Sequence, residues 1–153
     1  MDINIKRFKL NNGVRVIIVP LKTKLTYISA NYLLGNYQEK KCEVGLTHYC
    51  EHLLARLTST KYKNLKYIND EIYRRGGITN AYVSKYETSI YISGLYEDLE
   101  FYMDILSNAI NKFYINNDIN KEKGAVIQEY RRNISDFNYK FKFNMFKFLY
   151  PKY

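Results

Sequence analysis

Apolar and polar positions change rhythm repeatedly along this chain, and each change marks an element. Two short runs, IKRFKL (5–10) and VRVIIVP (14–20), flank Asn11-Asn12-Gly13, which is the turn chemistry of a β-hairpin. Residues 25–34, LTYISANYLL, alternate and then turn apolar, predicting a third strand. A polar loop leads to Gly45, and apolar residues then recur at helical spacing from Leu46 to Leu57. NLKYINDEIYRRGG predicts a second helix that stops at Gly76-Gly77. Residues 78–94 predict two strands around a turn near Lys85. Leu95, Leu99, Tyr102, Met103, Leu106 and Ile110 then predict a third helix. Asp118 is a candidate N-cap for a long last helix over residues 119–137. Strands, helices, strands, helices in that order predict an α+β fold, with helices on one face of a mainly antiparallel sheet.

Composition narrows this reading without changing it. A length of 153 residues suits one domain with a buried core, and 46% hydrophobic with 25% charged residues fits a globular chain. The net charge of +9 admits nucleic acid, an anionic membrane or acidic substrates as partners. The lysines and arginines are scattered, however, and their densest cluster is YKFKFNMFKFLYPKY at 139–153. No zinc-knuckle spacing and no phosphate-binding glycine loop accompanies it. A solvated basic surface is favoured over a nucleic-acid-binding module, and the interleaved aromatics are expected in the core. Cys42 and Cys50 are too few for a disulfide framework and are expected as free thiols. MDINIKRFKL lacks an apolar signal core and no run reaches the length of a membrane span, so a cytoplasmic setting is expected.

Candidate chemistry concentrates in HYCEH, residues 48–52, which holds both histidines of the chain. Residues four apart share a helix face, so His48 and His52 can address one ion. Imidazole is a preferred zinc ligand, and a catalytic zinc takes three protein ligands, leaving one position open. Glu51 projects beside such an ion without having to bind it, where a carboxylate can take a proton from attacking water. The pattern is H-x-x-E-H, the reverse of H-E-x-x-H. Two ordinary surface histidines are the plain alternative, but a chain with no others seldom spends both on one turn. A third ligand has two candidates: Glu122 and Glu129, seven residues apart, share a face of the predicted last helix.

Together these residues resemble the N-terminal part of the pitrilysin/insulinase family of zinc peptidases. That family follows H-x-x-E-H with a ligand glutamate after 76 intervening residues, and has another important glutamate seven earlier. Here 76 residues separate His52 from Glu129 and 69 separate it from Glu122. LNNGVRVIIVP resembles the family's opening hairpin, LLGNYQE its Gly-to-Glu segment, and GGITNAYVSKYETSIYISG its strand pair. Cys50 stands where insulin-degrading enzymes also have a cysteine, and no catalytic part is expected of it.

The resemblance implies that His48, His52 and Glu129 hold one Zn2+, with Glu51 as general base and Glu122 orienting a ligand. It implies that Asn80 and Ala81 lie on a strand that pairs with a peptide substrate, through main-chain bonds indifferent to sequence. Family domains run longer than this chain and are joined by a second, similar domain or subunit, which carries Arg and Tyr groups that hold substrate. Residues 1–153 are thus expected to form a single N-terminal-type zinc-peptidase domain, incomplete relative to the family. Its expected partners are a peptide substrate and a second peptidase-like domain, subunit or copy of itself. A zinc-binding but inactive partner subunit or remnant is the alternative.

Overall fold

In the computed structural model, which describes residues 4–115 and 119–151, the Asn11-Asn12-Gly13 turn closes as its chemistry predicts. Lys6–Lys9 (β1) pairs antiparallel with Arg15–Ile18 (β2), and Asn12 Oδ1 accepts from the Val14 amide at 3.2 Å. Among the described residues this hairpin joins no other strand. Phe8, Ile17 and Ile18 stay exposed, and Val16 is half-buried.

The main sheet is three-stranded and antiparallel: Leu25–Tyr32 (β3), Ile78–Val83 (β4) and Thr88–Leu95 (β5), with β5 in the centre. Ile28, Ile92 and Thr79 share one row, and Ala30, Ile90 and Ala81 share another two residues away. Side chains alternate across a sheet, so both rows lie on the same face. Two helices cover that face. Leu65–Arg74 (α2) brings Ile68 and Ile72, while Leu99–Asn111 (α3) brings Tyr102, Ile105, Leu106 and Ala109. Tyr102 lies so close to β5 that a Cβ on Gly94 would sit 2.4 Å from its hydroxyl oxygen. That hydroxyl donates to the Arg75 carbonyl at 3.2 Å. The expected α+β fold, helices on an antiparallel sheet, is the fold observed.

Several boundaries differ from expectation, each for a local reason. β3 ends at Tyr32, leaving Leu33 and Leu34 exposed, because the following turn is tied elsewhere: Asn36 donates to the Ser84 carbonyl at 3.1 Å. The first helix, Leu46–Ala55 (α1), stops before Leu57, whose φ of +55° cannot continue it. Leu95 belongs to β5, and a 3-10 turn at Tyr96–Asp98 precedes α3. Met103 is exposed, since the buried stripe of α3 runs through Tyr102, Ile105, Leu106 and Ala109. The expected last helix over 119–137 is observed as Ile119–Ser135 (α4), and the helical run continues as Phe137–Leu149 (α5). Asp136 breaks it with an extended backbone and recaps it, its carboxylate accepting from the Tyr139 amide at 2.8 Å. Asp118, the expected cap of α4, lies outside the described residues. The aromatics of α5 are not core: every residue of this helix is exposed.

Candidate metal centre

Glu39 sets where α1 begins. Its two carboxylate oxygens accept from the amides of Gly45 at 3.0 Å and Thr47 at 2.7 Å, satisfying donors that a helix start leaves unpaired. Gly45 adopts φ +87°, open to glycine without a Cβ penalty. Burial raises the Glu39 carboxyl, but those two amides, the Thr47 hydroxyl and nearby His48 outweigh it, holding it below the ordinary glutamate value.

With its start fixed, α1 turns His48, Glu51 and His52 toward α4. The imidazoles meet edge to face with centroids 4.8 Å apart. Glu129 of α4 places Oε2 at 3.3 Å from His52 Nε2 and 3.7 Å from His48 Nε2. One nitrogen of each histidine and one Glu129 oxygen lie within 4.8 Å of one another. Zinc bonds of about 2.0–2.2 Å place the corners of a tetrahedron roughly 3.3–3.6 Å apart. Two imidazoles with a carboxylate oxygen 3.3 and 3.7 Å from their nitrogens are a donor set that could hold Zn2+.

Glu51 sits at the edge of this group, its Oε2 3.8 Å from His48 Nε2, and it is buried. Burial lifts its carboxyl above the ordinary value; His52 and His48 pull down, Glu129 pushes up, and the net direction is upward. Glu122 faces the other side of His52, with Oε2 3.8 Å from Nδ1. Its Oε1 accepts from Arg56 Nη1. Cys50 is exposed and free; partial burial and the Glu39 charge push its thiol up, away from nucleophilic use.

The group lies in a cleft of about 580 Å³ also lined by Leu65 and Asn69 of α2 and by Asn80 and Ala81 of β4. β4 has β5 on one side only, so its other edge is unpaired among the described residues. Asn80 is exposed and accepts from the Ala81 amide through its own Oδ1 at 2.9 Å. All seven expected site residues thus line one cleft. Sequence reading passes over two more, Glu39 and Arg56. Arg56 lies four residues beyond His52, a spacing that places it on the ligand face and could have marked it.

An H-x-x-E-H helix on an antiparallel sheet, with a carboxylate brought in from a second helix, defines the inverzincin class of metallopeptidase folds. Residues 30–143 match the family model described as Insulinase (Peptidase family M16), and the chain belongs to that family. Among its relatives is "Uncharacterized zinc protease YmxG" of Bacillus subtilis, 29% identical over 127 residues, which are 82% of this chain and 31% of the relative. The "Mitochondrial-processing peptidase subunit beta" of Saccharomyces cerevisiae is 32% identical over 96 residues, 62% of this chain and 20% of the relative. A solved protease from Helicobacter pylori shares the fold, with TM-score 0.78 at 24% identity over 86% of this chain and 32% of that one. The chain therefore spans about a third or less of the length of the proteins it matches.

Proposed function

We propose that this chain is the zinc-bearing part of a metallopeptidase that hydrolyses peptide bonds. In this reading His48, His52 and Glu129 hold one Zn2+, and Glu51 is the general base. The observation that carries it is the meeting of two α1 imidazoles with an α4 carboxylate at 3.3 and 3.7 Å, separations suited to zinc.

Zinc, when bound, supplies Lewis-acid polarisation of water and of the scissile carbonyl. Glu51, buried beside the ligands with a raised carboxyl value, is placed to take a proton from attacking water and pass it to the leaving amine. Glu122 lies on the Nδ1 side of His52, 3.8 Å away, where a small closure would let its carboxylate accept a hydrogen bond from Nδ1–H and leave Nε2 free for metal. The outer edge of β4 beside Asn80 and Ala81 offers main-chain groups on which an extended peptide can add as a strand, once the Ala81 amide exchanges its Asn80 Oδ1 partner for the peptide. That mode selects by shape and length more than by a strict cleavage motif.

The proposal includes a second peptidase-like domain or subunit, or a second copy, working with residues 1–153 as one incomplete N-terminal-type domain. In support, the matched relatives are about three times as long or more, and the yeast relative is named as a subunit. It sets the protein in the cytoplasm, in keeping with two free, exposed thiols.

Glu51→Gln should lower hydrolysis of a quenched peptide by about 10²–10⁴-fold while zinc stays bound. Cleavage by that variant at the wild-type rate would contradict the mechanism. A second reading, a zinc-binding partner without turnover of its own, is favoured by the short coverage of the relatives. Zinc-dependent cleavage of the same peptide by this chain alone would eliminate it.

A further inference from the structure

We propose that Arg56 is a positioning residue of the metal centre, acting through Glu122 to orient His52 and to seat the helix that carries Glu129. The inference rests on the zinc-site reading above.

Two helical stripes meet face to face. α1 presents His48, His52 and Arg56 at successive intervals of four, and α4 presents Glu122 and Glu129 seven apart. Glu129 faces the histidines, and Arg56 grips Glu122. The Tyr49 hydroxyl also ties these helices, donating to the Ile119 carbonyl at 2.9 Å.

α4 has no fully buried residue, and its inward side chains Glu122, Val126 and Glu129 are only half-buried, so apolar burial alone is a weak hold. The Arg56–Glu122 pair is far better shielded than a surface ion pair, with side chains only 12% and 20% exposed. Removing one partner of a shielded pair leaves an uncompensated charge, so such a pair resists separation. α4, and with it Glu129, is thereby registered against α1 by charge.

The geometry at Glu122 explains the effect on His52. Arg56 occupies Oε1, and Oε2 is the oxygen that faces His52 Nδ1 at 3.8 Å. A neutral imidazole that offers Nε2 to a metal carries its proton on Nδ1, and the partner of that proton fixes the ring. Arg56 therefore fixes how the Glu122 carboxylate is turned toward the ring.

A purely electrostatic role has the opposite sign. A guanidinium near the site repels a dication, so deleting it would tighten zinc binding if charge were its only contribution. Positioning predicts weaker binding.

The test is zinc affinity of the full 153-residue chain, measured by competition with a chelator, with far-UV circular dichroism to verify folding. Arg56→Met should weaken zinc binding about 10–100-fold, the range for losing an outer partner of a ligand, and broaden the visible spectrum of the Co2+-loaded chain. In a Glu122→Ala background the same substitution should add less than about twofold, since coupled residues do not add. Arg56→Lys keeps the charge without the fork and should fall between wild type and Arg56→Met. It replaces Arg56→Met in the cycle if that variant does not fold.

Zinc binding by Arg56→Met as tight as wild type or tighter, or losses that multiply with Glu122→Ala, would overturn the inference alone. A wild-type chain that binds no zinc would overturn the metal-site reading together with it.

Discussion

Leu57 holds a left-handed backbone, φ +55°, with its side chain 1% exposed in the core. Glycine would relieve that backbone by about 1–2 kcal/mol. Stripping a buried leucine side chain costs about 3–5 kcal/mol, so burial wins. Leu57→Gly should therefore lower stability by about 1–4 kcal/mol in urea unfolding. A more stable variant would mean that backbone strain dominates. The metal-site residues are legible in sequence at this scale because their rule is written along the chain. His48, Glu51 and His52 share one helical turn, and Glu122 and Glu129 stand at characteristic spacings from it. Glu39 and Arg56 escape because their partners, the Gly45 and Thr47 amides and Glu122, become neighbours only once the chain has folded.

At the scale of elements, α1 depends on a residue outside it. Glu39 fills the role of an N-cap for a helix whose own cap position is glycine. Glu39→Gln should lower stability by about 1–2 kcal/mol near neutral pH, as loss of a charged cap does. The folded value of Glu39 lies below its unfolded value. Its contribution is thus complete above the ordinary carboxylate range and disappears as pH falls through the folded value. Melting temperatures of wild type and Glu39→Gln should accordingly converge in acid; a gap that is constant with pH would contradict the ionic cap. The strands and α2 are legible from alternation, Asn64 and the Gly76-Gly77 stop. The helix beyond Asp136 is not, because neither glycine nor proline separates it from α4 and its interleaved lysines leave the apolar spacing without one clear face. A capping aspartate inside a long helical pattern is equally consistent with an exposed polar residue.

Across the whole molecule, surface is the notable quantity. The accessible area is 11916 Å², whereas a folded monomer of 18.3 kDa exposes about 8,100 Å². The excess is about 3,800 Å² on one chain, more than one partner's share of about 1,000–2,500 Å² in an obligate interface. Exposed apolar side chains are dense on the β1–β2 hairpin and on α5, where Phe141 is 58% and Phe148 is 84% exposed. α5 is apolar around most of its circumference, the pattern of a helix made to be covered. That pattern made its aromatics read as core. The helix was legible in that respect, while its covering was not. The isolated chain should bind a hydrophobic dye strongly and self-associate as concentration rises. Phe141→Ser combined with Phe148→Ser should reduce both effects. Unchanged dye binding and association would place the sticky surface elsewhere.

One zinc held by His48, His52 and Glu129, with Glu51 beside it and not bonded to it, is an arrangement that can be counted. Zinc content after equilibrium dialysis counts it across wild type, His48→Ala, His52→Ala, Glu129→Ala and Glu51→Gln. Wild type and Glu51→Gln should each hold one zinc per chain, and the other three should lose it. A wild-type chain without zinc, or a Glu51→Gln variant that loses it while Glu129→Ala keeps it, would contradict the account.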